Sequence, residues 1–348
     1  MTITIALDGM GGDAAPGIVV DGAALALKQQ GDLAFVLFGD EAKLKPLIEA
    51  RPELAGRCTL RHTAEFVASD AKPSIALRQG RNTSMRLAIN AVKDGEAAAA
   101  VSAGNTGALM AMAKFVLKTL PGIDRPAIAS VMPGRERRVV ILDLGANVDC
   151  GPEHLFQFAV MGEVFARAML DVAKPRVGLL NVGTEELKGD DVVRGAAAML
   201  RDSSLPIQFH GFVEGTDVTE GVVDVVVTDG FTGNVALKVA EGTAAMFTAA
   251  LREAFERSGP LAKLGYLLAR PVFRRLRERF DPRRYNGAMF LGLNGVVVKS
   301  HGGTDAIGFA AAVSVAADLV RNGTNERIIE EMGGTQPAPP PAERAAAS

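Results

Sequence analysis

Short apolar runs rich in Val, Ile and Leu alternate with longer segments of helical period along almost the whole chain. TITIAL (2–7), AFVLFG (34–39), AAAAVS (97–102), RVVILDL (138–144), RVGLLNV (176–182), IQFHGF (207–212) and VVDVVVT (222–228) are apolar on both faces, as strands covered by helices on two sides must be. Strands alternating with helices predict an α/β class with a mostly parallel sheet. AIASVMPGRERRVVILDL (127–144) breaks the rhythm. A Pro-Gly turn with a charged tip separates two strand-like runs, which predicts a β-hairpin at or near a sheet edge. No internal repeat is present.

Polar, glycine-rich stretches follow six of these runs: LDGMGGDAAP, SAGNTGA, DLGANVD, NVGTEELKGDD, GFVEGTD and TDGFTGN. Ligands of open α/β sheets bind outside the carboxyl ends of the strands, so the pattern predicts six loops aimed at one edge. Taken singly, each loop also reads as an ordinary turn or helix cap. GMGGDA (9–14) satisfies a dinucleotide-type glycine pattern, with Asp40 closing the next run. Asp8 and Asp13 flank those glycines, however, and repel a pyrophosphate that such a turn has to attract.

SAGNTGA suits an anion better. Ser102 ends a strand, Gly104 and Gly107 permit a tight turn, and Asn105 or Thr106 caps the next helix, whose free N–H groups favour phosphate. Lys188 sits among Glu185, Glu186, Asp190 and Asp191 in a strand-end loop, as a solvated charge or a partner for phosphate. Asn234 reads as a helix cap or as an amide aimed at an oxyanion. His301 lies in KSHGGTD, built like the other loops, whereas His62, His154 and His210 read as incidental. There is no G-x-S-x-G elbow and no HExxH. Such equipment positions an anionic substrate and stabilises an oxyanion without forming a covalent intermediate.

Composition narrows the picture further. The chain has 348 residues, 48% hydrophobic and 22% charged, ordinary for a globular protein. A net charge of −2 gives no general attraction to nucleic acid. Cys58 and Cys150 lack metal-ligand spacing, so no zinc site, metal or disulfide framework is expected. The chain enters a strand-like run at once, and no uninterrupted apolar stretch of about 18 residues occurs, so neither a secretory signal nor a membrane span is expected. A cytoplasmic location follows. From Gly333 onward GGTQPAPPPAERAAAS has no apolar period and reads as a disordered tail.

ALDGMGGDAAP, SAGNTGAL, RPAIAS, LDLGANVD, NVGTEELKG, GFVEG, TDGFTGNVALK and YNGAMFLGLNGVVVKSHG resemble, in that order, the blocks of the bacterial phosphate acyltransferase family. The resemblance spans residues 3 to about 332. It implies a three-layer α/β/α sandwich with a Rossmann-like sheet, related to phosphotransacetylases and isopropylmalate dehydrogenase, and a homodimer. It also implies transfer of a fatty acyl group from acyl carrier protein to inorganic phosphate, giving acyl phosphate for phospholipid synthesis, with no cofactor. Residues 1–332 are read as one α/β domain with a helical hairpin at 251–284, and 333–348 as the tail. Under this reading Lys188 neutralises charge, Asn234 bonds at the reacting centre, and His301 joins them in the catalytic set. Ser102, Asn105, Thr106 and Gly107 cradle phosphate. Asp8, Gly12, Asp13, Asn147, Glu185, Asp229, Gly230 and Gly233 shape the pocket.

GPLAKLGYLLARPVFRRLRERFDPRR (259–284) is the one strongly basic region. Leu261, Leu264 and Leu268 recur at helical spacing, with Arg270, Arg274 and Arg277 largely on the other side, and Pro271 is expected to kink or split the helix. A surface of this kind meets anionic lipid reversibly, or acidic acyl carrier protein, or lies buried between subunits. The resemblance also points to peripheral association with the inner face of the cell membrane and to handover to a glycerol 3-phosphate acyltransferase. Three rivals stand beside this reading: a short-chain phosphotransacetylase using acyl-coenzyme A, a metal-dependent NAD-linked hydroxyacid dehydrogenase, and a peripheral membrane scaffold that recruits acyl carrier protein.

Overall fold

The structure, a computed structural model, describes residues 2–257, 259–279 and 281–333. Among these, eleven strands form one sheet: β1 (Ile3–Asp8), β2 (Leu33–Gly39), β3 (Cys58–His62), β4 (Ala99–Ser102), β5 (Ala127–Pro133), β6 (Arg138–Leu142), β7 (Arg176–Leu180), β8 (Gln208–Val213), β9 (Val225–Val227), β10 (Ala288–Leu291) and β11 (Val296–Lys299). The helices are α1 (Gly17–Gln29), α2 (Glu41–Glu49), α3 (Pro73–Gln79), α4 (Ser84–Lys93), α5 (Thr106–Leu117), α6 (Pro152–Leu170), α7 (Asp191–Asp202), α8 (Gly215–Glu220), α9 (Gly230–Arg257), α10 (Pro260–Arg279), α11 (Ala306–Arg321) and α12 (Thr324–Gly333). Gly333, expected to open the tail, closes α12 instead, and residues 334–348 lie outside the described residues.

Successive side chains of a strand point to opposite faces, and β1 shows the consequence. Ile5 and Leu7 enter a core with Val20, Phe158 and Phe309 of α1, α6 and α11. Ala6 enters a second core with Ile89 and Met112 of α4 and α5. Apolar runs without polar alternation therefore become the middle layer of an α/β/α sandwich. Polar residues at the strand ends start the next helices: Asp40 accepts from Ala42 N–H at 3.0 Å and Asp190 from Val193 N–H at 2.8 Å. Asp40 is thus a helix cap. His62 and His154 serve helix starts as well, their Nδ1 atoms accepting from the N–H groups of Glu41 and Gly151.

Strand order is β3-β2-β1-β4-β11-β10-β5-β6-β9-β7-β8. Seven of the ten pairings are parallel; those of β10 with β11, β10 with β5, and β5 with β6 are antiparallel. Two corrections follow. The β5–β6 hairpin lies in the middle of the sheet, because β10 pairs with the free side of β5 and β9 with that of β6. The antiparallel pairings also reverse the sheet's direction, so β1 to β5 and β11 run one way and β6 to β10 the other. The polar loops consequently leave from opposite edges, not from one. Strands β3, β10 and β11 were not among the apolar runs read from the sequence; β3 is partly exposed, and β10 and β11 are four residues each.

The helical hairpin is α9 and α10, with Phe255 of α9 against Tyr266 and Phe273 of α10 at ring separations of 5.0 and 5.7 Å. Its first arm begins at Gly230 rather than near residue 251. α10 continues through Pro271 without splitting; a proline forfeits one i→i−4 bond there. No described helix is long and apolar enough to cross a membrane.

Candidate active site

At the first edge, the carboxyl ends of β1, β4 and β11 meet around Asp8. Its buried carboxylate accepts from Ser84 Oγ at 2.6 Å and Ser102 Oγ at 2.7 Å, and Ser102 Oγ in turn accepts from Gly104 N–H at 3.0 Å. Burial raises the pKa of Asp8, and these hydrogen bonds oppose the rise. Gly12 has φ +113°. A Cβ there would lie 3.0 Å from Ala103 Cβ, so the residue lets the β1 loop close onto the β4 loop.

Asn105 proves to be the cap of α5: its Oδ1 accepts from Ala108 N–H at 2.9 Å. Its amide donates to the carbonyls of Ser69 and Ala71 at 2.8 and 3.0 Å, which leaves Thr106 and Gly107 as the exposed members of that loop. Asp13 is exposed, and its N–H donates to the Gly302 carbonyl at 2.9 Å. Asn286 orients the His301 loop by accepting from His301 N–H at 2.9 Å. His301 Nδ1 accepts from Gly303 N–H at 3.2 Å, leaving Nε2 as the ring's outward donor.

Sequence reading missed Lys299. It ends β11 beside Ser102 in register, and its Nζ donates to the carbonyls of Ala103, at 3.3 Å, and Ser300. Burial pushes its pKa down to about 8, opposed by the charges of Asp8 and Asp13. The signal was a lysine closing the apolar run VVVK, overshadowed by the histidine two residues on. If its charge serves the reaction, wild-type activity declines as pH rises through about 8, where the ammonium loses its proton. Lys299→Arg, whose guanidinium stays charged, is expected to lose that limb; a pH profile of kcat/KM with an unshifted limb would remove Lys299 from the chemistry.

The second edge collects the carboxyl ends of β6, β7 and β9, and brings Lys188 and Asn234 onto neighbouring loops. Asp143 organises it. Its fully buried carboxylate accepts from the N–H groups of Ile128, Gly145, Ala146 and Asn147 at 2.9, 3.2, 3.1 and 2.7 Å. The Asn147 amide also donates to it at 2.9 Å. Burial raises the pKa of Asp143 against those bonds. The Asn147 carbonyl then accepts from Gly230 N–H at 2.7 Å, joining this loop to the start of α9. A Cβ on Gly233 would stand 1.9 Å from the Asp143 carbonyl oxygen, so only glycine fits.

Asp229 caps α9, accepting from Thr232 N–H at 2.9 Å. Asn234 is therefore not a cap: it lies inside the helix, exposed, with Oδ1 3.7 Å from where a Gly145 Cβ would be. Lys188 Nζ pairs with Glu185 Oε2 at 2.8 Å and is about half exposed. That hydrogen bond raises the lysine's pKa, so its charge is secure. Val148 after β6, Val182 and Leu187 after β7, and Phe231 and Val235 in the first turns of α9 are exposed at this edge, Leu187 at 91%. Burial pushes the thiols of Cys58 and Cys150 up to about 11, which disfavours a thiolate nucleophile. Among the described residues no group of three or more His, Cys, Asp or Glu is placed to hold a metal ion.

The same chain trace occurs in a phosphotransacetylase from Streptococcus pyogenes, with TM-score 0.61, 19% identity, and coverage of 92% of this chain and 94% of that one. A Klebsiella pneumoniae 4-hydroxythreonine-4-phosphate dehydrogenase is similar at TM-score 0.53 and 15% identity, covering 92% of this chain and 98% of that one. The fold is thus the α/β class shared by phosphotransacetylases and these dehydrogenases. Residues 3–327 match the family model described as "Fatty acid synthesis protein". "Phosphate acyltransferase" of Paramagnetospirillum magneticum is 59% identical over 336 residues, 97% of this chain and 95% of that protein. That of Rhodospirillum centenum is 60% identical over 334 residues, 96% and 94% of the two chains. The chain belongs to the phosphate acyltransferase family of enzymes.

Proposed function

We propose that the protein transfers a fatty acyl group from the thioester of acyl carrier protein to inorganic phosphate. A phosphate oxygen attacks the carbonyl carbon, the C–S bond breaks, and the carrier thiolate leaves and takes up a proton. The thiol, with a pKa of about 8.5, is a good leaving group, so neither an enzyme nucleophile nor a metal is required. The protein has to hold phosphate against the carbonyl, worth up to about 7–11 kcal/mol in the best intramolecular cases, and to receive the oxyanion, about 3–4 kcal/mol per donor. Lys188 neutralises charge and the Asn234 amide donates to the oxyanion. Thr106 and Gly107 take the phosphate, with Lys299 and His301 beside them; Ser102, buried with its hydroxyl hydrogen donated to Asp8, supports the loop instead of cradling the anion.

One observation carries this reading: Lys188 and Asn234 share the second edge with five exposed apolar side chains, an environment that suits hydrocarbon more than acetyl. The test is release of carrier thiol from palmitoyl-acyl carrier protein with and without phosphate, with acyl phosphate trapped by hydroxylamine. Phosphate-dependent release is expected; a preference for acetyl-coenzyme A would turn the assignment to a phosphotransacetylase, and carrier binding without turnover to a scaffold.

The acyl phosphate suits a downstream glycerol 3-phosphate acyltransferase and a cytoplasmic enzyme that touches the membrane reversibly. Leu268 and Val272 of α10 are 75% and 67% exposed, on a different side from Tyr266 and Phe273, which face α9, and Arg270 and Arg274 are exposed with them. The side chains of Leu261, Leu264 and Arg277 lie outside the described residues. Each basic residue near an anionic surface adds about 1 kcal/mol. Leu268→Glu with Val272→Glu is expected to abolish flotation with vesicles containing phosphatidylglycerol; unchanged flotation would exclude this surface. Homodimerisation belongs to the same proposal, and α9 supports it.

A further inference from the structure

The chain carries a net charge of −2, yet one part of it is basic without relief. Lys72, Arg78, Arg81, Arg86 and Lys93 fall within residues 72–93 with no acidic residue among them, and Lys114 and Lys118 are the only charged residues of 97–123. Asp94 and Glu96 separate the two runs, and Glu96 is bound to Arg61 at 2.8 Å. Three helices gather these cations on one side of the sheet. α3, α4 and α5 bury Ala76, Ile89 and Met112 in the second core, which leaves their other faces to solvent. Six of the seven side chains are exposed there, and Arg86 is partly buried.

Elsewhere on the molecule exposed cations find carboxylates, as Arg135 does in Glu220, Arg201 in Glu186 and Arg321 in Asp32. Among the described residues none of the seven forms an ion pair. Burial, and after it the charge of Arg81, lowers the pKa of Arg86, as happens where cations crowd together without counter-charge. Such a cluster repels itself, and a partner of opposite charge relieves it. We propose that the outer face of α3, α4 and α5 is the docking surface for the acidic acyl carrier protein. This rests on the acyl-to-phosphate reading above.

The position of the face supports that use. The Asn105 amide ties the start of α5 to the carbonyls of Ser69 and Ala71, just ahead of α3, and a Cβ on Gly107 would lie 2.7 Å from Pro73 Cγ. Ser84, the first residue of α4, donates to Asp8. The first turns of all three helices thus meet at the first edge, and a carrier seated on them brings its thioester toward Thr106 and Gly107. The chemistry of the face favours a folded acidic helix. Ile75 and Phe115 are 42% and 54% exposed, and Arg86 and Lys118 lie over the Phe115 ring at 5.2 and 4.8 Å from its centre. Cations therefore occupy the ring that a nucleic-acid base would stack on. Two apolar side chains among seven cations also fall short of the apolar stripe that settles into a bilayer, whereas a small apolar spot within a charged rim fits a protein partner.

The test is Arg78→Glu with Arg81→Glu, a pair outside the proposed reaction site. The KM for palmitoyl-acyl carrier protein should rise at least about tenfold, with kcat and the KM for phosphate at wild-type values. Added salt should raise the wild-type KM steeply and that of the variant little, since the attraction it screens is already gone. Arg78→Lys with Arg81→Lys, which keeps the charge, should retain the wild-type KM. Lys72→Glu with Lys114→Glu replaces the first pair if that fails to fold. An unchanged carrier KM in folded glutamate variants overturns the inference, and loss of vesicle or nucleic-acid binding at an unchanged carrier KM gives the face to that other partner. A wild-type protein that forms no acyl phosphate defeats the reaction instead. Fluorescence anisotropy of labelled holo-acyl carrier protein still decides the surface in that case: binding lost in the glutamate pair upholds it, and equal binding overturns it.

Discussion

Lys188→Ala is expected to reduce phosphate-dependent acyl transfer by about 10²–10³-fold, the usual effect of removing one group that stabilises developing charge. The Lys188 side chain is about half exposed and bonds Glu185, while its carbon chain lies across Gly183, whose Cβ would meet Cδ at 2.2 Å. Truncation leaves no buried partner without a bond, so stability should stay within about 0.5 kcal/mol of the wild type. The loss should fall mainly on kcat, since the lysine meets more negative charge in the tetrahedral intermediate than in the separate substrates. Hydroxamate formation at saturating phosphate, alongside a thermal melt, measures both. A folded variant with full turnover would remove Lys188 from the chemistry.

Gly233→Ala should be nearly as damaging, although its side chain would touch no substrate. The added methyl would sit 1.9 Å from the Asp143 carbonyl oxygen and 3.0 Å from Thr228 Cγ2. Neither end of that clash is a flexible side-chain tip. The start of α9 has to move away from the β6 loop, carrying Asn234 with it and straining the bond from Gly230 N–H to the Asn147 carbonyl. A displacement of about 1 Å at a positioned group costs on the order of 10²-fold in rate, and overpacking costs about 1–3 kcal/mol in stability. A lowered melting temperature together with depressed kcat is expected. Wild-type kcat in a folded variant would show that the placement of Asn234 does not matter.

Sequence reading and structure agree where local physics decides. Runs such as IALD and VVILDL have no polar face, so they need cover on both sides and become inner strands. The cap at Asn105 follows from a short polar side chain standing before a helix. The block order also carried the family.

The sequence by itself determined the α/β class and the family, and it set out the polar loops and the residue types proposed for the chemistry: a lysine, an amide, a hydroxyl and glycines. Only the tertiary structure decided where those loops point. Strand direction depends on which strands pair, and the antiparallel pairings of β5 with β6, β10 with β11 and β10 with β5 together turn half of the sheet around, the last of them joining segments distant in sequence. Long-range pairing gave Lys299 its place beside Ser102, and burial closed Asp143 into a ring of N–H donors from its own loop and from Ile128 across the hairpin, neither visible as a pattern, because burial and register are properties of the assembled sheet.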